Sequence, residues 1–211
     1  MYSRTGAGTL EADSPRDMRQ RILDAAARLF AQNGIASTSM REIAKECDIL
    51  AGSVYYHFKS KDEIITEILN LGIARVTEAV VTALAQVEGD ASFRNRLHAA
   101  ARAHLQAFHV YGDYTATHLR NFKQAPPDVQ LACKKARDDY ENIWIGILDR
   151  GRKDGALLPD IDLGLQRLLL IGSMNWTLEW FHPQGKYTLD ELADSVVRMF
   201  MDGCAVRAAA R

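Results

Sequence analysis

A short stretch around residue 55 carries the side chains best suited to contact a charged partner. Gly52 and Ser53 are small, which would let the backbone approach that partner closely. Aromatic and cationic side chains follow them. Small, aromatic and cationic residues together beside a capped helix end predict a surface that binds phosphate oxygens. The same spacing also fits a plain helical corner whose aromatic rings fill a small core. The aromatic and cationic residues that follow are Tyr55, Tyr56, His57, Lys59 and Lys61.

The pattern around this stretch predicts two short helices joined by a tight corner. Ser39 lies three residues before Glu42, the capping-box spacing in which each side chain satisfies a backbone N–H at a helix start. The apolar spacing predicts one helix from about Met40 to Cys47 and a second from about Ala51 to His57. Two short helices across such a corner describe a helix-turn-helix, whose second helix faces the major groove of DNA.

Residues 20–65 resemble the DNA-binding domain of the TetR/AcrR family of bacterial transcriptional regulators. The matching segments are LFAQNGIASTSM, REIAKECDI and GSVYYHFKSKDEII, in that order. The resemblance implies a homodimeric repressor that binds a palindromic operator in double-stranded DNA. It also implies a helical C-terminal domain whose small-molecule effector moves the DNA-binding heads apart. Carried over position by position, it implies DNA contacts from Ser39, Arg41, Gly52, Ser53, Tyr55, Tyr56, His57 and Lys61.

The start of the second helix departs from this family. The family often has Ser or Thr with a Lys there, where this chain has Leu50 and Ala51. The change removes a cap and a phosphate contact, which predicts a different operator. Together with the near-neutral charge, Leu50 also favours the competing hypothesis, a helical ligand-binding or scaffolding protein that no longer binds DNA. By their chemistry, the remaining positions divide into phosphate contacts (Tyr55, His57 and Lys61) and base contacts (Arg41, Ser53 and Tyr56).

Length and composition restrict the fold. The chain has 211 residues, of which 47% are hydrophobic and 25% charged, and its formal net charge is −1. Only five prolines and the lack of alternating β-branched runs predict an all-α fold of about nine helices. Residues 1–61 hold nine Lys and Arg against seven Asp and Glu, so this part carries +2 and the rest carries −3. The asymmetry has the sign that DNA binding requires, although it is small.

Several classes of function find no support in the sequence. No run of about 18 uninterrupted apolar residues and no apolar signal region occur, so we expect no membrane association and a cytoplasmic location. The three cysteines are widely spaced and form no C-x-x-C pattern, which favours buried, reduced thiols. The histidines lack metal-ligand spacing, and no nucleotide-binding or hydrolase motif appears. We therefore expect no enzyme, no metal site and no cofactor.

The chain divides into three parts. Residues 1–13 mix Gly, Ser, Thr and charge without a period, which predicts a flexible arm. Residues 14–61 form the predicted helix-turn-helix domain, because Ser14 and Pro15 mark a helix start. Residues 62–211 form the predicted ligand-binding and dimerisation domain, which begins with a connecting helix of about 25 residues.

Residues 162–181 and 188–204 predict two helices with very wide apolar faces. The first is apolar on all sides, and such a helix must be covered on all sides. Packing of both helices against their copies across a two-fold axis would form a four-helix dimer interface. Burial within one chain is the alternative. The predicted dimer contacts are Leu168, Ile171, Trp180, Val196 and Phe200.

Three further helices carry stripes of aromatic and polar side chains, which are typical of a small-molecule cavity and also of a plain core. The segment NWTLEWFHPQGKYT, residues 175–188, resembles family members that regulate fatty-acid, sterol and other acyl-CoA catabolism. This resemblance implies an acyl-CoA or lipid-like effector, whose phosphates would meet cations near the cavity mouth. The candidate cations are Arg102, Arg120, Lys123 and Lys134. The predicted lining residues are His104, Phe108, Tyr111, His118, Phe122, Arg137, Tyr140, Trp144 and Trp176.

Overall fold

The computed structural model describes residues 15–87 and 92–204, which form an all-helical structure. No strand occurs among these residues, and the predicted fold class is confirmed. The predicted arm over residues 1–13 lies outside the described residues. Two short 3-10 turns, Phe122–Gln124 and Trp176–Glu179, accompany the α-helices. The nine α-helices of the described part are α1 (Pro15–Asn33), α2 (Met40–Glu46), α3 (Ala51–His57), α4 (Lys61–Gln86), α5 (Phe93–Val110), α6 (Gly112–Asn121), α7 (Pro127–Lys153), α8 (Leu163–Asn175) and α9 (Leu189–Cys204).

Local hydrogen bonds and one unusual backbone angle set the geometry of α2 and α3. The capping box is formed as predicted: the Ser39 N–H donates to Glu42 Oε2 (2.7 Å) and the Glu42 N–H donates to Ser39 Oγ (3.3 Å). Asp48, in the corner, has a positive φ of 54°, a conformation that Asp tolerates better than most residues. Leu50 precedes α3 without a side-chain cap. The corner is therefore that of a helix-turn-helix whose second helix starts uncapped.

Two apolar cores share α4. The core of the N-terminal head (α1–α3) includes Ile22 and Phe30 together with Ile64 from the first half of α4. The core of the C-terminal body (α5–α9) includes Leu97 and Trp144 and receives the second half of α4. By length and composition alone α4 could cross a membrane. Its apolar residues are instead divided between the two cores, so α4 is the helix that joins head and body.

The two C-terminal helices differ from the prediction. The helix expected over residues 162–181 ends at Asn175, where the Thr177 hydroxyl donates to the Met174 carbonyl (2.6 Å) and the chain tightens into a 3-10 turn. Val196 and Phe200, predicted to contact a second chain, are only 9% and 7% exposed and belong to the body core. The apolar face of α9 packs against α5. These two residues are therefore buried within one chain, as the alternative to a dimer contact predicted.

Gly151 on α7 is a position where the fold requires glycine. A Cβ built there would lie 2.5 Å from the ring of Phe93, which is itself buried. Gly151→Ala is therefore expected to destabilise the protein by about 1–3 kcal/mol, because the ring or the helix must shift. Urea denaturation monitored by circular dichroism measures this loss.

Gly146, one and a half turns earlier on α7, provides the matched control. A Cβ there meets nothing within 4 Å. Gly146→Ala is expected to stabilise the protein by about 0.5–1 kcal/mol, since alanine loses less backbone freedom on folding. If both alanine variants were equally stable, close packing of Gly151 on Phe93 would not be the reason for glycine at this position.

Candidate functional site

The tyrosine side chains of α3 point outward, although they are large and aromatic. Val54 is the buried residue that anchors α3 in the head core. Tyr56 is 81% exposed and Tyr55 is 55% exposed, and the Tyr56 ring packs edge-on against His57 with 5.1 Å between centroids. These rings do not fill the head core, so a plain structural corner does not account for them. The exposed, amphipathic rings are free to contact a partner, and their contact with DNA stays a prediction.

The smaller residues of the predicted surface also lie outside. Gly52 and Ser53 are exposed at the start of α3, and a Cβ on Gly52 would meet nothing. Arg41 is exposed on α2. The Ser39 hydroxyl is committed to the cap, because it accepts from the Glu42 N–H and donates to Glu42 Oε2 (2.8 Å). Ser39 therefore orders the start of α2, and its contact with DNA stays a prediction.

Lys61 has a structural role that the spacing did not indicate. Its ammonium donates to the carbonyl oxygens of Ile35 (2.9 Å) and Thr38 (3.0 Å), and the residue is half-buried. These bonds tie the start of α4 to the loop between α1 and α2. An ammonium has three donors, so one remains for a phosphate oxygen. The side chain therefore anchors the loop, and its contact with a phosphate stays a prediction.

The C-terminal body encloses a cavity of about 390 Å³ between α4, α5, α6, α7 and α8. Its size falls in the range of small-molecule sites. Its walls are mainly apolar, with polar side chains grouped at a few places. Six of the nine predicted lining residues do line it: His104, Phe108, His118, Phe122, Arg137 and Tyr140.

The other three predicted lining residues lie elsewhere. Trp144 is fully buried in the body core and packs edge-on against Tyr140, whose ring faces the cavity. Tyr111 lies under the guanidinium of Arg75 (4.7 Å), outside the cavity wall. Trp176 is 65% exposed, because α8 has ended before it. The spacing of these aromatic residues showed that they lie on helices. It did not show whether they face the cavity, the core or solvent.

The cavity wall also contains residues that the sequence reasoning did not assign to it. Leu168 and Ile171, predicted as dimer contacts, line the cavity from α8. The signal that could have revealed this wall is the spacing of Arg167, Ile171 and Asn175 at i, i+4 and i+8 on an otherwise apolar helix. The remaining unassigned lining residues are Gly72, Ile73, Val76, Thr115, Leu119, Glu141 and Gly172.

Positive charge gathers at one part of the cavity wall. Arg167 forms an ion pair with Glu141 (2.7 Å), and Arg137 lies 3.8 Å from the same carboxylate. The Arg137 guanidinium also covers the Phe122 ring at 4.0 Å. Of the four cations predicted for the mouth, Lys123 is exposed and lines the cavity. Arg102, Arg120 and Lys134 are paired elsewhere, with Asp190, Glu179 and Asp138.

A second polar group lies within the cavity. His104 is 1% exposed, and its Nδ1 lies 2.5 Å from the hydroxyl of Tyr140. Burial lowers the pKa of His104 to about 4, so the imidazole is neutral near pH 7. The pKa of His118 is also lowered to about 4, by burial and by the nearby charge of Arg137. Both imidazoles therefore offer neutral hydrogen-bonding groups, and the positive charge near His118 comes from Arg137.

Acidification is expected to destabilise the protein through His104. Because the folded-state pKa of about 4 lies below the ordinary value of 6.5, the unfolded chain takes up a proton below pH 6.5 that the folded chain does not. Stability should therefore fall as the pH drops, by about 2 kcal/mol between pH 7 and pH 5 from this residue. Urea denaturation across this range measures the loss. His104→Gln should remove that part of the slope, and an unchanged slope would contradict a neutral, buried His104.

Helix α6 connects the cavity with the head. Thr115, His118 and Leu119 line the cavity from this helix. On its other side the Thr117 hydroxyl donates to the Ala27 carbonyl of α1 (3.1 Å). Helix α6 therefore contacts both the cavity and α1 of the head.

Asn121, the last residue of α6, adds two further bonds to the head. Its Oδ1 accepts from the N–H of Ile35 (3.1 Å), and its Nδ2 donates to the carbonyl of Phe30 (3.2 Å). The side chain is 3% exposed, so these bonds are shielded from water. A displacement of α6 would therefore be transmitted to the end of α1 and the loop that leads to α2.

Comparison with known proteins agrees with this architecture. Residues 22–68 match the bacterial regulatory proteins of the tetR family, and residues 90–204 match the tetracyclin repressor-like C-terminal domain. The second match alone covers more than half of the chain. Together they favour a DNA-binding regulator over a helical ligand-binding or scaffolding protein.

Individual relatives are similar over nearly the whole chain. The HTH-type transcriptional repressor KstR2 of Rhodococcus jostii strain RHA1 is 29% identical over 192 residues, or 89% of this chain and 91% of that protein. The fatty acid metabolism regulator protein of Bacillus subtilis strain 168 is 24% identical over 191 residues, or 89% and 96%. The structure of AibR in complex with isovaleryl coenzyme A and operator DNA has the same fold, with a TM-score of 0.76, 23% identity and coverage of 86% and 97%. The first two relatives are named as a transcriptional repressor and as a metabolism regulator, and the two family matches show that the chain belongs to the TetR family of bacterial regulatory proteins.

Proposed function

We propose that this protein is a transcriptional repressor that binds a palindromic operator as a homodimer and is released by a small amphipathic effector. The observation that carries the proposal is that α6 forms one wall of the cavity and also bonds to α1 in the head. A ligand that binds better to one position of α6 would shift the spacing of the heads. Two recognition helices read a palindrome only when they lie about 34 Å apart, one helical turn of DNA.

The outer face of α8 supports the dimer. Leu165, Leu168 and Leu169 are 51%, 58% and 59% exposed, although they are large and apolar. Trp176 and Trp180 extend this face, with 65% and 44% of their surfaces exposed. Contiguous exposed apolar residues of this kind mark an interaction surface, and a two-fold axis lets one helix face cover its own copy. We therefore assign the dimer contact to this α8 face, without α9 residues Val196 and Phe200.

Leu169→Glu tests the dimer, because Leu169 lies on the exposed face and does not line the cavity. In a dimer, the two copies of the introduced glutamate would be buried close to each other, and this would separate the subunits. The operator affinity should then fall by about 100-fold or more, because the two heads would bind independently. Analytical ultracentrifugation at micromolar concentration measures the oligomer.

Leu131→Glu is the matched control, since Leu131 is a 70% exposed leucine on α7. It should leave the dimer and the operator affinity unchanged. A Leu169→Glu protein that still sediments as a dimer would place the interface on another surface.

The effector class follows from the cavity wall. Apolar side chains from five helices surround the space, and Arg137, Arg167 and Lys123 supply positive charge at one part of it. An acyl chain attached to an anionic group, such as a coenzyme A thioester, matches both features. Support also comes from the named relatives, a repressor designated KstR2 and a fatty acid metabolism regulator, and from a protein of the same fold crystallised with isovaleryl coenzyme A. As a DNA-binding regulator, the protein would act in the cytoplasm.

A further inference from the structure

Glu141 on α7 is the one acidic residue that lines the cavity in the part of the chain that the structure describes. Its Oε2 lies 2.7 Å from Nη1 of Arg167, and its Oε1 lies 3.8 Å from Nη2 of Arg137. Both arginines also line the cavity. The carboxylate of Glu141 therefore lies beside the two guanidinium groups that the anionic end of an effector would contact.

The charges along this part of the wall do not cancel. Lys123, Arg137 and Arg167 carry three positive charges and Glu141 carries one negative charge, which leaves an excess of two. The histidines of the wall add none near pH 7, since burial lowers the pKa of both to about 4. The wall therefore attracts anions, and Glu141 already supplies the first of them.

The two partners of the short ion pair differ in their access to water. The Arg167 side chain is 14% exposed, so its guanidinium depends on an anion from the protein or from a ligand. The Glu141 side chain is 35% exposed, so its carboxylate can turn to water once another anion replaces it. Its distance from Arg137 is too long for a hydrogen bond. Release of Glu141 therefore breaks one short bond, which an incoming anion can restore.

We propose that Glu141 is a specificity-determining residue, whose carboxylate holds the anion subsite of the cavity until the anionic group of an effector replaces it. This inference rests on the proposed function, because it concerns the effector that fills the same cavity. A free fatty acid would exchange one carboxylate for another and gain no ion pair. A phosphate group carries a charge of about −1.5 to −2 at pH 7 and can pair with both guanidinium groups. Glu141 thus excludes free fatty acids and admits acyl thioesters that carry phosphates.

Three ligands with the same acyl chain and different charges test this inference on the full-length protein. They are decanoyl-CoA, decanoate and the uncharged thioester S-decanoyl-N-acetylcysteamine, and isothermal titration calorimetry measures their affinities. Decanoyl-CoA should bind the unmodified protein at least about tenfold more tightly than the other two, which should bind about equally. The inference is overturned if decanoate binds much more tightly than the uncharged thioester.

Glu141→Gln removes the charge and keeps an oxygen that can accept from Arg167. Decanoate should bind this variant about tenfold more tightly than the unmodified protein, because its carboxylate no longer has to displace another anion. Decanoyl-CoA should also bind more tightly, and the affinity for the uncharged thioester should stay the same. If Glu141 instead held Arg167 in place for the ligand, both anionic ligands would bind more weakly. Unchanged or weaker binding of decanoate therefore overturns the inference.

Asp139→Asn is the matched control for the loss of a negative charge. Asp139 lies two residues before Glu141 on α7, pairs with Lys135 (2.5 Å), is 57% exposed and does not line the cavity. The affinity for decanoate should change by less than about twofold, because water screens an exposed charge. Equal gains in both variants would show a general effect of charge and overturn the role of Glu141. Circular dichroism and thermal melting establish that both variants are folded.

The same titrations separate this inference from the function on which it rests. If all three ligands bind and release operator DNA, and Glu141→Gln changes none of their affinities, the inference fails and the proposed function stands. If the protein binds its operator but neither form binds any of the three ligands, the proposed effector class fails, and the inference fails with it.

Discussion

Tyr56→Ala is expected to weaken operator binding by about 10- to 100-fold, the range for loss of a good contact to a base. Tyr56 is the more exposed of the two tyrosines of α3, with 81% of its surface accessible, and its ring packs edge-on against the neighbouring His57 ring. Removal of the phenol leaves the head core untouched, so the free energy of unfolding should change by less than about 0.5 kcal/mol. Fluorescence anisotropy with labelled operator and with scrambled duplex measures the effect. The affinity for the operator should fall more than the affinity for the scrambled duplex.

Two further tyrosines serve as references for this prediction. Tyr55→Ala should weaken binding to both duplexes alike, since a phosphate contact carries no base information. Tyr187→Ala removes an exposed tyrosine (46%) of the C-terminal body and should leave DNA affinity unchanged. If Tyr56→Ala bound the operator as well as the unmodified protein, α3 would not present Tyr56 to the bases.

Asn121→Leu is expected to uncouple the effector from DNA binding. The substitution removes the two bonds from α6 to Phe30 and Ile35 and leaves the buried Ile35 N–H unpaired. The cavity wall is unchanged, because Asn121 does not line it. The effector should therefore still bind, while the factor by which it lowers operator affinity should fall from about 5- to 150-fold towards unity. The unfolding free energy should fall by about 1–3 kcal/mol, the cost of the unpaired group.

Gln130→Leu is the control for the loss of stability. The Gln130 amide donates to the Ala125 carbonyl (2.8 Å), a side-chain bond of the same kind that stays within the body. This variant should lose stability and keep the full effect of the effector on DNA affinity. Titration of operator complexes with decanoyl-CoA measures, in both variants, the factor by which the thioester lowers operator affinity. Equal coupling in Asn121→Leu and the unmodified protein would show that the signal takes a route other than this contact.

Local signals in the sequence predicted the head well. The capping box of Ser39 and Glu42 and the short corner depend on residues within a few positions of each other, so the sequence pattern contains most of what determines them. The role of Lys61 could not be read in the same way. Its bonds reach Ile35 and Thr38, which are more than 20 positions away, and only the folded head brings them together.

The body shows the limit of helical periodicity. The stripe through His104 and Phe108 does face the cavity, but the same spacing placed Trp144 there, although it lies in the core behind Tyr140. Spacing identifies residues that share a face and does not tell whether that face meets a cavity, a core or a second chain. Val196 and Phe200 were assigned to the dimer for this reason, whereas α5 covers them.

The end of α8 was missed because no breaker residue marks it. Residues 162–181 contain glycine but no proline, and the apolar composition continues past Asn175. The change to a 3-10 turn depends on the bond from the Thr177 hydroxyl to the Met174 carbonyl and on packing, and neither can be deduced from composition. Its consequence is functional, because it places Asn175 at the cavity and Trp176 on the outside.

The central claim is that one protein binds operator DNA through α3 and releases it when the cavity between α4 and α8 is filled. Fluorescence anisotropy of the full-length protein on a labelled duplex from the region upstream of its own gene tests this most directly, before and after saturating decanoyl-CoA. We expect a dimer to bind with a Kd on the order of 10⁻⁸ M, to bind more weakly as salt is raised, and to be released by the thioester. Ile73→Trp, which fills the cavity, should bind the duplex and resist release. A protein with no affinity for this duplex or any other, or one whose DNA complex ignores every acyl thioester, would contradict the account.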